Sequence, residues 1–272
     1  MIKDITLGQF LPGNSVIHRL DPRTKILVIF AYIVALFTVK NFFGYALCFS
    51  YVILAYGISK VPPKMILKSL KPIMFFVIFT ALINLFLTSG EVIFSLGFLK
   101  ITKEGVILAV KMAVRLILLV AVTSLLTYTT SPIVLTDGIE KLLSPLSKIG
   151  VPSHEIAMMM TIALRFIPTI IDETDKIIKA QSARGSDFES GNLIRRAKAL
   201  IPILVPLFIS AFRRADELAT AMECRCYHGG EGRTRLKVLR YRAIDFVVIL
   251  LTVAFGVGLF FLNRSGVGYT MR

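Results

Sequence analysis

Long apolar runs alternate with short polar segments along most of this chain. A helix rises about 1.5 Å per residue, so an apolar run of roughly 20 residues crosses the hydrocarbon core of a bilayer. Only Lys40 and Asn41 separate the first two runs, which indicates a tight helical hairpin with Lys40 reaching an interface. The pattern predicts an all-α polytopic membrane protein with about five transmembrane helices, at residues 26–39, 42–59, 72–88, 106–126 and 243–262.

The polar segments beside these runs carry further signals. Pro22 keeps Asp21 out of the helical region, so Asp21 is expected to cap a helix that starts at Pro22. Residues 60–71 contain four lysines and a double proline and are predicted to form a basic loop. Lys111 and Arg115 lie one helical turn apart in the fourth run, where charged side chains should face protein or an interface rather than lipid.

Two other connections are less apolar. Residues 89–104 are predicted to form a polar connection that contains some β-prone residues and a turn at the outer face. Further along, one short amphipathic helix fits between Pro132 and Lys148.

The stretch 152–227 organises the rest of the chain, and it is predicted to form two long amphipathic helices. The first, with Ser153 as its expected cap, extends to about residue 184; its apolar residues recur every three or four positions, and its charges lie off that stripe. The second extends from about residue 193 to 227, and its apolar part, 199–212, is too short to span a bilayer alone. We therefore expect two mutually packed helices that cross beneath the spans.

Prolines and methionines give these helices particular properties. A proline inside a helix removes a backbone donor, so bends are expected at three positions, Pro168, Pro202 and Pro206. Three consecutive methionines form an adaptable apolar surface that can contact a partner or fill a core: Met158, Met159 and Met160.

Each long helix ends in a lone arginine between small residues. The first ends in Ala183-Arg184-Gly185 and the second in Cys224-Arg225-Cys226. Small neighbours let a partner groove close around the guanidinium, which can form paired hydrogen bonds with a carboxylate or with carbonyl oxygens. A cation followed by glycine is also how ordinary helices end. Two copies at equivalent helix ends favour recognition by two similar partners.

Lysine and arginine are distributed very unevenly. Of the 32 in the chain, 25 lie in residues 1–25, 60–71 and 128–242, five lie on the opposite side, and two lie within the fourth apolar run. The positive-inside rule therefore places the N-terminus and residues 128–242 in the cytoplasm, so the net charge of +15 reflects topology rather than nucleic-acid binding. The expected divisions are a membrane domain, a cytoplasmic coupling region and a last span with an external tail, at residues 1–128, 129–242 and 243–272.

Candidate chemistry is sparse. The three cysteines, Cys48, Cys224 and Cys226, provide no disulfide framework and indicate reduced cytoplasmic thiols. Cys224 and Cys226 are two positions apart and do not face together on a helix, which argues against a metal site. The chain lacks a Walker lysine motif and the common hydrolase motifs, and its spans lack interior carboxylates. We expect no catalytic residue, no bound cofactor and no metal in this chain.

Four segments carry a family resemblance: His18-Arg19-Leu20-Asp21-Pro22-Arg23-Thr24-Lys25, Ala163-Leu164-Arg165-Phe166-Ile167-Pro168, Gln181-Ser182-Ala183-Arg184-Gly185, and residues 206–227. Together they resemble the transmembrane T component of energy-coupling factor (ECF) transporters, which import vitamins and metals into prokaryotes. The resemblance covers nearly the whole chain. The first arginine motif matches the family's Ala-Arg-Gly fully, whereas Cys224 and Cys226 replace alanine and glycine in the second.

The resemblance implies a non-catalytic coupling subunit in the prokaryotic cell membrane. Its two arginine motifs would dock onto two cytoplasmic ABC ATPase subunits, which bind the ATP, and a separate substrate-binding S component would sit against it in the bilayer. A conventional ABC permease is one alternative, but it requires a polar inner face on several spans, and the first three are almost uniformly apolar. A membrane-embedded enzyme is another, and it requires a nucleophile, acid pair or metal set at membrane depth.

The charge distribution generates a topological prediction. A single cysteine at position 235, in a chain without its native cysteines, should stay unlabelled by a membrane-impermeant maleimide in intact cells and react in inverted vesicles. A cysteine at position 268 is the control and should show the opposite behaviour. Labelling of position 235 from outside would contradict the predicted orientation and, with it, the coupling role, because the ATPases are cytoplasmic.

Overall fold

The computed structural model describes residues 10–96, 99–186, 192–229 and 238–264, so position 235 lies outside the described residues. Helices make up most of the described chain, which confirms the predicted all-α class. The elements in chain order are α1 (Val16–Arg19), α2 (Pro22–Thr38), α3 (Phe42–Ser59), α4 (Pro63–Leu87), β1 (Val92–Leu96), β2 (Leu99–Thr102), α5 (Lys103–Thr129), α6 (Pro132–Leu143), a 3-10 turn (Ser144–Ile149), α7 (Ser153–Ala183), α8 (Leu193–Glu223) and α9 (Ala243–Arg264).

The chain divides into two compact units. The helical-core unit contains the described residues of Gly8–Gly138 and Leu239–Arg272, and the two-helix unit contains those of Ile139–Val238. The two-helix unit carries both arginine motifs. The helical-core unit carries all five helices that correspond to the expected spans, namely α2, α3, α4, α5 and α9.

Five described helices are long and apolar enough to cross a bilayer, namely α3, α4, α5, α7 and α9. This confirms a polytopic membrane protein, and the number agrees with the expected five. The set differs from the prediction, however. α2 has only 17 residues because it ends at Thr38, just before Lys40 and Asn41, whereas α7 continues through Pro168 for 31 residues with an apolar first half.

Two helix boundaries differ from the predictions. α4 begins at Pro63 rather than at residue 72, so only residues 60–62 remain of the predicted basic loop. Proline suits the first position of a helix, and Pro72 costs a single backbone hydrogen bond within a long apolar helix. The short amphipathic helix ends at Leu143, and the chain continues as a 3-10 turn from Ser144.

Ser153 does not cap α7, so this prediction was wrong. Pro152 occupies the cap position, and no side chain bonds to the first turn. The backbone N–H of Ser153 donates to the carbonyl of Val151 at 2.8 Å, which draws Ser153 into the first turn of the helix, where it is buried. The polar connection between α4 and α5 contains an antiparallel hairpin of β1 and β2, in agreement with its β-prone composition.

The core of the helical-core unit lies where α2, α3, α5 and α9 meet. Its largest fully buried side chains include Tyr32, Leu36 and Leu118. Tyrosine hydroxyls inside it donate to backbone carbonyls, Tyr32 to that of Cys48 at 3.1 Å and Tyr56 to that of Ala121 at 2.7 Å. These bonds matter because an unpaired hydroxyl in an apolar interior is costly.

A buried carboxylate joins the first turns of α2 and α9. Asp245 is fully buried and accepts hydrogen bonds from the backbone N–H groups of Asp21 at 2.9 Å and Arg242 at 2.7 Å. Asp21 caps α2 as predicted, accepting from the backbone N–H of Arg23 at 2.9 Å and from its guanidinium at 2.8 Å. Burial raises the pKa of Asp21, but the hydrogen bonds and charge of Arg23 outweigh it and hold the pKa below its usual value.

Lys25 connects the first turn of α2 to the last turn of α5. Its ammonium donates to the carbonyl of Thr129 at 2.8 Å and to the hydroxyl of Thr130 at 3.0 Å. A cation at a helix C-terminus is also favoured by the helix dipole. We call Asp21, Arg23, Lys25 and Asp245 the charged layer, because these residues hold the ends of α2, α5 and α9 at one level.

The charged layer generates a prediction about stability. Asp245→Ala should lower the free energy of unfolding by about 1–3 kcal/mol, since it leaves the buried backbone donor of Asp21 unpaired, whereas water can reach the partly buried donor of Arg242. The measurement is thermal unfolding of the purified chain, followed by far-UV circular dichroism. Asp172→Ala, which removes an exposed carboxylate from α7, is the matched control and should change little. Equal stability of the two variants would contradict the anchoring role of Asp245.

Candidate functional site

The two long helices of the two-helix unit contact one another through polar side chains. Glu173 on α7 accepts hydrogen bonds from Ser210 and Arg214 on α8, both at 2.5 Å. Nearer the end of α7, the side-chain amide of Gln181 donates to the carbonyl of Pro202 at 3.4 Å. As the contacts move towards the end of α7, from residue 173 to 181, their partners move towards the start of α8, from residue 210 to 202. The two helices therefore run antiparallel.

The contact at Pro202 follows from the spacing of two prolines. In a regular helix, the carbonyl of Pro202 would accept from the N–H of residue 206, but residue 206 is itself a proline and has no N–H. The side chain of Gln181 donates to this carbonyl instead. Both α7 and α8 continue as helices through their prolines. The bends expected at Pro168, Pro202 and Pro206 stay predictions.

The first arginine motif closes α7 with a well-defined turn. Arg184 is the C-cap, and Gly185 follows it in the left-handed region at φ 88°. The N–H of Gly185 donates to the carbonyl of Ser182, and the N–H of Ser186 donates to that of Gln181, both at 3.0 Å. This pair of bonds defines the Schellman motif, as the placement of glycine after Arg184 predicts.

The second arginine motif closes α8 in the same way. The N–H of Cys226 donates to the carbonyl of Glu223 at 2.8 Å, and the N–H of Tyr227 donates to that of Met222 at 3.1 Å. Cys226 takes the left-handed conformation at φ 55°, which is the position of Gly185 in the first motif. Arg225 therefore corresponds to Arg184 in backbone geometry as well as in sequence. Cysteine in place of glycine has not changed the turn.

All six residues of the two motifs are exposed: Ala183, Arg184, Gly185, Cys224, Arg225 and Cys226. Neither arginine forms an ion pair within the described part of the chain. The last carbonyls of both helices are satisfied by backbone N–H groups, so neither guanidinium is needed to cap its helix. The arrangement presents two equivalent, accessible cationic tips.

The apolar part of α8, residues 199–212, presents an exposed face that was not among the site residues predicted from the sequence. It consists of exposed large side chains, namely Leu200, Ile201, Leu204, Val205, Phe208, Ile209 and Phe212. Their spacing of three and four residues within the run 199–212 was the available signal. On α7, Met159 and Met160 are exposed, and Met158 is half-buried. Among the described residues, no group of three or more metal-ligating side chains comes together.

The matched turns generate a prediction about their left-handed residues. A residue with a side chain incurs about 1–2 kcal/mol of steric strain in the left-handed conformation, and glycine avoids this strain. Glycine also loses more conformational entropy on folding, which cancels part of that advantage. Cys226→Gly should therefore raise the free energy of unfolding of α8's end by about 0.5–1 kcal/mol, and Gly185→Ala should lower that of α7 by a similar amount. Hydrogen exchange of the last helical turns measures both. Faster exchange in Cys226→Gly would contradict the equivalence of the two turns.

Comparison with known proteins identifies the family. The family described as CbiQ, cobalt transport protein, matches residues 13–236. The chain is 60% identical over 255 residues to the energy-coupling factor transporter transmembrane protein EcfT of Ruminiclostridium cellulolyticum, covering 94% of this chain and 96% of that protein. It is 62% identical over 252 residues to the protein of that name from Clostridium kluyveri, covering 92% and 93%, and 47% identical over 264 residues to that from Bacillus subtilis, covering 97% and 100%. This chain therefore belongs to the family of energy-coupling factor transporter transmembrane proteins, and it is a multi-pass membrane component of a transporter.

Proposed function

We propose that this chain is the coupling subunit of an ECF-type ABC importer. It transmits the ATP-driven motion of two cytoplasmic ATPase subunits to a membrane-embedded, substrate-binding S component. The observation that carries the proposal is the equivalence of the two helix ends, each with an exposed arginine at the C-cap before a left-handed residue. Two equivalent tips suit a pair of similar partners.

The docking chemistry is that of a guanidinium in a groove. The planar guanidinium of Arg184 or Arg225 forms paired, charge-assisted hydrogen bonds with a carboxylate or with helix-end carbonyls of the ATPase. The flanking alanine, glycine and cysteines let the groove approach closely. Because backbone N–H groups already satisfy the helix ends, the arginines remain available for this contact.

Motion of the ATPases passes between the two long helices through the contact between α7 and α8. Glu173 bonds to Ser210 and Arg214, and Gln181 bonds to the free carbonyl of Pro202. When the two ATPases approach or separate, the two arginine tips move with them. The hydrogen bonds between α7 and α8 then transmit the displacement of one helix to the other. The long helices therefore act as levers rather than as a substrate path.

The S component covers the exposed apolar face of α8 together with Met158, Met159 and Met160 on α7. A face of this kind is stable only against lipid or an apolar partner, and methionines adapt to partners of different shape. The S component selects the vitamin or metal cargo, and the cobalt in the description of the matching family supports a metal as one such cargo. The chain itself binds no ATP and performs no catalytic step.

The orientation completes the proposal. The N-terminus and residues 128–242 face the cytoplasm, as the 25-to-5 distribution of lysine and arginine supports. The long helices thus lie on the side where the ATPases bind.

Removal of the arginines tests the docking. Arg184→Ala and Arg225→Ala should each weaken ATPase binding by about 2–5 kcal/mol, because each leaves a desolvated partner group unpaired, and the double variant should abolish assembly. Co-purification of the ATPases and uptake of the cargo in vesicles are the two measurements. Lys179→Ala removes an exposed cation five residues before Arg184, and this matched control should behave like the unmodified chain.

Two further results separate docking from simple helix capping. Lysine substitutions should restore binding poorly, since an ammonium does not reproduce the planar fork of a guanidinium. If the arginines only interact with the helix dipole, each alanine variant costs roughly 0.3–1 kcal/mol and lysine substitutes fully. Full ATPase binding and full transport by the double alanine variant would refute the docking model.

A further inference from the structure

The turn between α2 and α3 lies closer to the charged layer than the thickness of a hydrocarbon core would lead one to expect. The charged layer marks one end, where Lys25 bonds to Thr129. At the other end, the guanidinium of Arg115 donates to the carbonyl of Val39 at 3.3 Å. Fourteen residues separate Lys25 from Val39, and fourteen separate Arg115 from Thr129. The turn therefore lies about 21 Å from the charged layer, whereas a hydrocarbon core is about 30 Å thick.

The neighbouring α5 extends well beyond this level. It begins at Lys103, twelve residues before Arg115, which corresponds to roughly 18 Å of further helix. α4 accompanies it there, because Gly105 lies so close to α4 that a Cβ atom would meet the carbonyls of Asn84 and Leu85 at 3.0 Å. The α2–α3 turn therefore ends short of α4 and α5 and forms a step in the surface of the unit. Lipid headgroups can reach the turn at this step.

Four cations gather at this step. Lys40 is exposed in the turn, and Lys111 and Arg115 lie one helical turn apart on α5. α9 ends at the same level, since the amide of Asn263 donates to the carbonyl of Thr38 at 3.3 Å, and the exposed Arg264 comes next. Only seven lysines and arginines lie outside the cation-rich segments of the sequence. Four of those seven belong to this one place, which we call the cationic step: Lys40, Lys111, Arg115 and Arg264.

Among the described residues, the hydrogen-bond and ring partners of Arg115 are all neutral groups. Besides Val39, its guanidinium donates to the hydroxyl of Tyr45 at 2.6 Å, and it lies 5.4 Å from the ring centre of Phe37. Its Nε–H is buried without a hydrogen-bond partner in the described chain. The carboxylates of the described ion pairs are Asp21, Glu140 and Glu173, none of which bonds to the step. Arg115 is partly buried, and a nearby anion would offset the hydration that such a cation loses.

We propose that the cationic step binds the phosphate of an anionic phospholipid from the leaflet at that end of the unit. A phosphodiester can accept hydrogen bonds from a guanidinium and from lysine ammonium groups together. Phe42 and Phe43 are strongly exposed directly after the turn, which suits contact with the acyl chains. A zwitterionic headgroup fits poorly, since its own cation would meet four others. The site needs neither ATPases nor an S component, so it is independent of the proposed function.

Lipid retention by the full chain tests the site. The chain is reconstituted in nanodiscs with equal amounts of phosphatidylglycerol and phosphatidylcholine, extracted in mild detergent, and its bound lipid is measured by native mass spectrometry. Phosphatidylglycerol should be retained in preference to phosphatidylcholine. Each cation near a lipid headgroup contributes about fivefold in affinity, so Lys40→Gln and Arg264→Gln should each reduce the preference roughly fivefold.

Variants of α5 and a matched control complete the test. Arg115→Gln with Lys111→Gln should remove most of the preference, whereas Lys103→Gln, a cation at the far end of α5, should keep it. Should the α5 double variant fail to fold, the exposed positions Lys40 and Arg264 decide the question alone. Equal retention of both lipids, or no loss in Lys40→Gln and Arg264→Gln, overturns the proposal. Thermal stabilisation by inorganic phosphate equal to that by phosphatidylglycerol would identify a free-anion site and also overturn it.

Discussion

The buried carboxylate of Asp245 is the interaction on which the helical-core unit depends. It bonds to the backbone of Asp21, 224 positions earlier in the chain, and thereby fixes where α2 begins relative to α9. An apolar interface between helices has many nearly equivalent packings, but a desolvated carboxylate with two directed donors has one. Asp21 and Lys25 continue the layer towards the cap of α2 and the last turn of α5. These bonds set the levels of the ends of α2, α5 and α9 relative to one another.

One consequence is the depth of the α2–α3 turn. With its first turn held at the charged layer, a 17-residue α2 cannot reach the level attained by α4 and α5. Arg115 consequently lies beside the α2–α3 turn and bonds to the carbonyl of Val39. The unequal helix lengths bring cations from α5, α9 and the α2–α3 turn to one level of the unit.

The two-helix unit obeys a different constraint. Its helix ends are closed by backbone hydrogen bonds, which leaves the arginine side chains free for partners. The cost is a cysteine in the left-handed region at residue 226, a conformation that glycine adopts more readily. The missing donor at Pro206 serves the same unit, because it leaves the carbonyl of Pro202 available to Gln181 and so connects the two helices near one tip.

The sequence by itself determined the membrane class, the two long amphipathic helices, the cap at Asp21 and the arginine motifs, because each rests on local periodicity or on a local turn signal. It indicated that the first span is short, but it could not predict that α4 begins at Pro63, because the cost of one missing backbone hydrogen bond at Pro72 is offset by the packing of a whole helix. It identified Arg184 and Arg225 but not their identical turns, because nothing local requires Cys226 to adopt the conformation of Gly185. The pairings of Asp245 with Asp21 and of Arg115 with Val39 were decided by the tertiary structure alone, as they join residues far apart in the chain.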